Sequence, residues 1–166
     1  MVTFAGVDHV ALTVTDLDRS ERFYTSLFDF VTVMDVGYGR ICMHADTGFV
    51  LTLITHDDAR GGSFTELTTG LDHLGLVAGS RSELEEWERR FEEMGVPYTP
   101  IRDEPLAHIL NFRDPDNIAL DLCASTEAMV AATEALRSPD ITVEQIDEYV
   151  AQLVGPEFVP KRGTAG

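Results

Sequence analysis

The chain has 166 residues and a mass of 18.3 kDa, the size of one domain with at most a short appendage. Folding at that length buries roughly 70% of the unfolded chain's surface, so a core requires neither disulfides nor a structural metal. Twelve basic residues against 29 acidic ones give a formal net charge of −17, a field that repels phosphate backbones and anionic lipid heads, so neither nucleic acid nor a membrane is expected as a partner. The longest stretch free of Asp, Glu, Lys and Arg is Thr47 to His56, ten residues, which is half of a membrane span. The opening MVTFAGVDHV lacks the basic start and apolar run of a signal peptide, and a cytoplasmic protein is expected. Cys42 and Cys123 have no metal-type spacing and read as reduced thiols.

Internal repetition is the most informative pattern. VDHVALTV at Val7 to Val14 returns as LDHLGLVA at Leu71 to Ala78, a shift of 64 that carries on through the next helix, where Phe23 meets Trp87 and Leu27 meets Phe91. In the first copy Val10, Leu12 and Val14 alternate with His9, Ala11 and Thr13, the period of a half-buried strand. Asp16 then caps a helix with the apolar stripe Leu17, Phe23, Tyr24, Leu27 and Phe28. Strands are predicted at about 30–36, 39–44 and 48–55. DDARGGSFTELTTG reads as a flexible loop between the copies.

In the second copy a capping box, Ser82 with Glu85, is predicted to open a helix striped by Leu84, Trp87, Phe91 and Met94. Strands are predicted near 98–103, 106–112 and 118–123, the last two joined by a DPDN turn. Beyond the repeat, Ser125 opens a helical run to about Arg137. Thr142 with Gln145 caps another helix, with Gly155 past its end. The tail from Val159 to Gly166 reads as frayed.

DHVALTVTDLDRSERFY, LDHLGLV and NFRDPDNIALDL together resemble the vicinal oxygen chelate superfamily, which includes glyoxalase I, methylmalonyl-CoA epimerase, extradiol dioxygenases and the fosfomycin- and bleomycin-resistance proteins. The resemblance covers about residues 6 to 123. It implies an α+β fold in which two βαβββ modules (6–55 and 71–123) form a cup-shaped mixed sheet within a domain spanning 1–124. Residues 125–166 would then be a C-terminal helical extension. It also implies a ligand on the concave face, a divalent metal in the enzymatic members, and a homodimer.

His9 and His73 hold equivalent places in the two copies. The last strands align Leu51-Thr52-Leu53 with Leu120-Asp121-Leu122 at a shift of 69. His9, His73 and Asp121 thus form a two-His-one-carboxylate set suited to Fe, Mn, Zn, Co or Ni, with positions open for substrate. Thr52 stands where glyoxalase I and the epimerases carry Glu or Gln. A hydroxyl there is a poor ligand and no base, which counts against those two activities. Strand parity puts Arg40, Cys42 and Thr52 on one side of their hairpin and Asn111 beside Asp121, and these four are the candidate substrate-binding residues. His44 and His108 fall out of phase and should face away from the cup.

Two functions follow. One is a metal-dependent enzyme of lyase, isomerase or dioxygenase type acting on an oxygen-bearing small molecule. The other is a metal-free protein that sequesters an aromatic antibiotic or biosynthetic intermediate.

Overall fold

The computed structural model describes residues 4–58 and 64–161. The middle of the predicted inter-repeat loop, 59–63, and the end of the predicted frayed tail, 162–166, lie outside the described residues. The chain divides into two compact units, Met1–Leu74 with Arg113–Leu120, and Gly75–Phe112 with Asp121–Gly166.

The first unit holds β1 (His9–Thr13), α1 (Leu17–Phe28), β2 (Val31–Asp35), β3 (Gly39–Met43) and β4 (Val50–Ile54). Asp16 caps α1 as its sequence position predicts: its backbone is extended and its carboxylate accepts the Arg19 N–H at 2.9 Å. The helix stops at Asp29, whose φ of 55° is left-handed, a conformation Asp tolerates better than most residues. Strand order is β1-β4-β3-β2, with β1 parallel to β4 and the other pairs antiparallel. α1 packs on β2, β3 and β4, and Tyr24 and Leu27 are buried together with Leu12, Cys42, Leu51 and Leu53. This alternation is the period-two pattern read from the sequence.

The second repeat builds β5 (Leu74–Val77), α2 (Arg81–Met94), β6 (Arg102–Asp103), β7 (Ala107–Arg113) and β8 (Ala119–Ser125). Its strand order, β5-β8-β7-β6, is the first repeat's order again. The predicted pair of βαβββ modules in an α+β fold is therefore what the chain forms, as two four-stranded sheets. On α2, Phe91 lies 4.8 Å from the Phe112 ring of β7, and Leu84, Leu110, Leu120 and Leu122 are buried.

Two expectations within the second repeat need correction. The cap of α2 is Ser80, not Ser82: its hydroxyl accepts the Glu83 N–H at 3.1 Å, and the Glu83 carboxylate accepts the Gly79 N–H at 2.7 Å. Both serines fit the same Ser-x-x-Glu spacing, and the earlier one wins because it adds half a turn of helix. The strand predicted over 98–103 is broken into a bridge at Tyr98 and the two-residue β6. Pro100 sits between them and has no N–H to give a ladder.

The DPDN turn does more than join two strands. The Asp116 carboxylate accepts the Thr15 N–H at 3.0 Å, the Thr15 hydroxyl, and Arg19 Nη2 at 2.7 Å. Buried Asp114 accepts the Asp116 N–H at 2.9 Å, the Ile118 N–H at 2.8 Å and the Tyr24 hydroxyl at 3.1 Å. The turn thereby clasps the start and middle of α1. Asn117, at a left-handed φ of 65°, donates to the Phe64 carbonyl at 3.0 Å, and Arg113 pairs with Glu66. So residues 64–66 of the predicted loop are tied to the turn.

α3 (Glu127–Leu136) is capped by Thr126, since Ser125 still belongs to β8. α4 (Val143–Leu153) carries the predicted Thr142–Gln145 capping box. Its stripe of Ile146, Tyr149, Val150 and Leu153 is half-buried. Among the described residues no helix is long and apolar enough to cross a membrane.

Candidate functional site

Each sheet has a helix-covered face and an open face, and the candidate residues sort between them. Ile41 pairs with Thr52, Cys42 with Leu51 and Arg40 with Leu53. Directly paired residues share a face, so Arg40 and Cys42 lie on the α1 side while Thr52 lies on the open side with Ile41. The parity that grouped Arg40, Cys42 and Thr52 is corrected: it had ignored the odd offset that the hairpin register imposes between β3 and β4. The parallel register of β1 and β4, Ala11 to Thr52 and His9 to Val50, places His9 on the same open face as Thr52.

Arg40 is enclosed by acids. Its guanidinium donates to Asp18 at 2.6 Å, Glu21 at 2.5 Å and Asp35 at 3.3 Å. The hydrogen bond it donates to Asp18, ahead of its pairing with the other carboxylates, holds its pKa above the ordinary value. Asp35 is pulled below the usual carboxylate range first by the Gly37 N–H and then by Arg40. Arg40 thus fastens α1 to the hairpin. Cys42 is fully buried beside Thr32, and burial pushes its thiol pKa up, the opposite of what a nucleophile needs. Burial does the same at Cys123.

The two histidines repeat one arrangement. His9 Nδ1 lies 2.8 Å from the carboxylate of Asp8, and His73 Nδ1 lies 2.6 Å from that of Asp72. A carboxylate at Nδ1 assigns the proton to that nitrogen and the lone pair to Nε2, the tautomer of a metal-ligating imidazole with an outer-shell acid. The donor set is therefore chemically suited to a divalent metal. His9 and His73 belong to the first unit and Asp121 to the second. Among the described residues no three His, Cys, Asp or Glu side chains are gathered as a ready-made metal cluster.

Asp121 alternates with the buried Leu120 and Leu122 and so points to the opposite face of its sheet, where its side chain is nevertheless covered, 6% exposed. The same reasoning places Asn111, between Leu110 and Phe112, on that face. Asn111 accepts a hydrogen bond from Arg102 at 3.2 Å. Arg102 pairs with Ile109 and shares its face, which makes it a cation on the open side that sequence reasoning missed. Its placement follows from the β6–β7 register, Arg102 opposite Ile109 and Asp103 opposite His108, which sequence alone does not give. His108 turns to the covered side as expected, 2.6 Å from Asp103. His44 sits past the end of β3, edge-on to Phe30, and accepts the Thr47 N–H at 3.3 Å.

Comparison with known proteins places this fold and these motifs in one family. Residues 6–122 match the Glyoxalase/Bleomycin resistance protein/Dioxygenase superfamily, and the chain belongs to it. Among solved structures, a glyoxylase/bleomycin resistance protein/dioxygenase domain from Frankia sp. EAN1pec is 34% identical, with a TM-score of 0.68, over 75% of this chain and 100% of that one. An integron cassette protein from the mobile metagenome of the Halifax Harbour sewage outfall is 22% identical, with a TM-score of 0.60, over 73% and 99%. A variant of the fosfomycin resistance protein FosX from Listeria monocytogenes, complexed with Mn(II) and 1S,2S-dihydroxypropylphosphonic acid, is 21% identical, with a TM-score of 0.60, over 76% and 95%. Among curated proteins nothing matches the chain.

Proposed function

We propose that the protein is a divalent-metal-dependent enzyme acting on a small oxygen-bearing molecule, with His9, His73 and Asp121 as the metal ligands. The observation that carries this reading is the duplicated Asp-His pair, in which a carboxylate holds Nδ1 in each repeat. Bound there, a Lewis-acidic ion would stabilise negative charge developing on a substrate oxygen. Asn111 and Arg102 would orient the polar end of the substrate on the open face of the second sheet. The FosX relative holds Mn(II) and a phosphonate, a precedent for this ligand chemistry within the fold.

Thr52 offers no base, and Arg40 is committed to α1, so neither is assigned a role with substrate. Thr52 also favours a second reading, a metal-free binding protein that holds an aromatic small molecule on the same open face. Protein purified without chelators or nickel resin discriminates the two. The enzyme reading expects stoichiometric Fe, Mn, Co, Ni or Zn by elemental analysis, or a rise in Tm on adding one of them, because an ion bound only to the folded state stabilises it. No metal and no shift would hand the protein to the second reading.

The same reading includes a homodimer with two equivalent sites, in which the half-buried stripe of α4 finds cover. A sedimentation mass near 37 kDa, about twice the chain mass of 18.3 kDa, is expected at micromolar concentration. A mass of 18.3 kDa would exclude it.

A further inference from the structure

Gly75 lies inside β5, where a glycine weakens a strand through its backbone entropy and its missing side chain. Its φ is not left-handed, so the backbone conformation does not require glycine. Space does. A Cβ built at position 75 would lie 2.7 Å from Asp121 Oδ1 and 3.8 Å from its Cγ, with no other atom close. The volume a side chain would fill is therefore occupied by the carboxylate of Asp121, which is itself 6% exposed.

The first repeat provides the control. At the shift of 64 the position equivalent to Gly75 is Ala11, and Ala11 pairs across the ladder with Thr52, the equivalent of Asp121. The chain thus sets a methyl against the short hydroxyl and no side chain against the carboxylate. Apart from this exchange the two repeats match closely here: Leu51 and Leu53 are buried as Leu120 and Leu122 are.

We infer that Gly75 is a positioning residue: its missing side chain is what lets the Asp121 carboxylate lie across β5 on the open face. The inference rests on the metal reading for its functional meaning but not for its test. An alanine at 75 must push Asp121 Oδ1 off its present place, whereas with Asp121 truncated the same alanine meets nothing and improves the strand.

The test is a double-mutant cycle of Gly75→Ala and Asp121→Ala, read by Tm and by Co(II) titration followed in the visible spectrum. In the native background Gly75→Ala should lower Tm by about 2–4 °C and weaken Co(II) binding about tenfold or more, as loss of an outer-shell partner does. In the Asp121→Ala background it should leave Tm unchanged or raise it. Should Gly75→Ala fail to fold alone, recovery of folding in the double variant supports the inference equally. Equal effects in both backgrounds, or failure of both variants to fold, would overturn it. If the native protein binds no Co(II), the metal reading falls, and the thermal cycle alone still decides whether Gly75 acts through Asp121.

Discussion

Asp114→Ala is expected to destabilise the protein by about 2–4 kcal/mol in denaturant unfolding at pH 7, because it strands buried donors rather than removing surface contacts. Three donors converge on this carboxylate: the N–H groups of Asp116 and Ile118 on Oδ1, and the Tyr24 hydroxyl on Oδ2. Tyr24 is 1% exposed and Ile118 5%, so water cannot replace the lost acceptor. Asp114→Asn should cost far less. Its amide oxygen keeps both N–H bonds, and its nitrogen can donate to the Tyr24 oxygen, reversing that bond without breaking it.

The pair of variants also exposes a pH dependence with an unusual sign. Burial, the largest influence, raises the Asp114 pKa above its ordinary value of 3.8, against the hydrogen bonds that lower it. A carboxyl with a raised folded pKa binds its proton more tightly folded than unfolded. Its contribution is therefore greatest below pH 3.8 and is lost as pH rises through the raised value. Asp16, Asp35 and Asp103 run the other way. Hydrogen bonds from the Arg19 N–H, the Gly37 N–H and Arg81 respectively lower their pKa values, so their stabilisation is present above about pH 4 and disappears on acidification. The native protein should lose stability relative to Asp114→Asn as pH climbs from 3.8 toward neutrality. A difference between them that stays constant over that range would show that the fold does not raise the carboxyl above its ordinary value of 3.8.

The repeat was legible because both halves follow one pattern of alternation and one helix stripe, and burial at Leu12, Leu51, Leu110 and Leu120 follows that pattern residue by residue. What sequence could not supply was register. Parity counted along β3 and across to β4 says nothing about which residue pairs with which. The hairpin from Gly39 to Ile54 sets Thr52 opposite Ile41 rather than Cys42. Contacts distant in sequence were equally invisible: nothing in DPDN announces that its two carboxylates reach Thr15, Arg19 and Tyr24, roughly a hundred residues earlier. Arg40 illustrates both gaps. It was a fair candidate as a lone cation on a strand, but three acids from α1 and β2 enclose it.

His9→Ala and His73→Ala are each expected to weaken Co(II) or Zn binding by a hundredfold or more. Each removes one of only three protein ligands, and water is the replacement. At a metal concentration about a hundredfold above the native Kd, mass action adds about 2.7 kcal/mol and raises Tm by about 5–10 °C. The histidine variants should forfeit that rise while their metal-free Tm stays within about 2 °C of the native value, since exposed side chains away from caps and cores contribute little to stability. His9 and His73 are about half exposed, and the core rests on the leucine and phenylalanine layers under α1 and α2. Asp8→Asn and Asp72→Asn should cost at most about tenfold, because Asn still accepts the Nδ1 proton through its oxygen but gives up the charge that makes the ring a better donor to metal. Thr52→Glu should tighten binding, since it sets a carboxylate on the open face that His9 shares. A ranking in which the Asp variants lose as much as the His variants would mean that the pairs at 8–9 and 72–73 bind as carboxylates. Unchanged affinity in both histidine variants would remove the imidazoles from the site altogether.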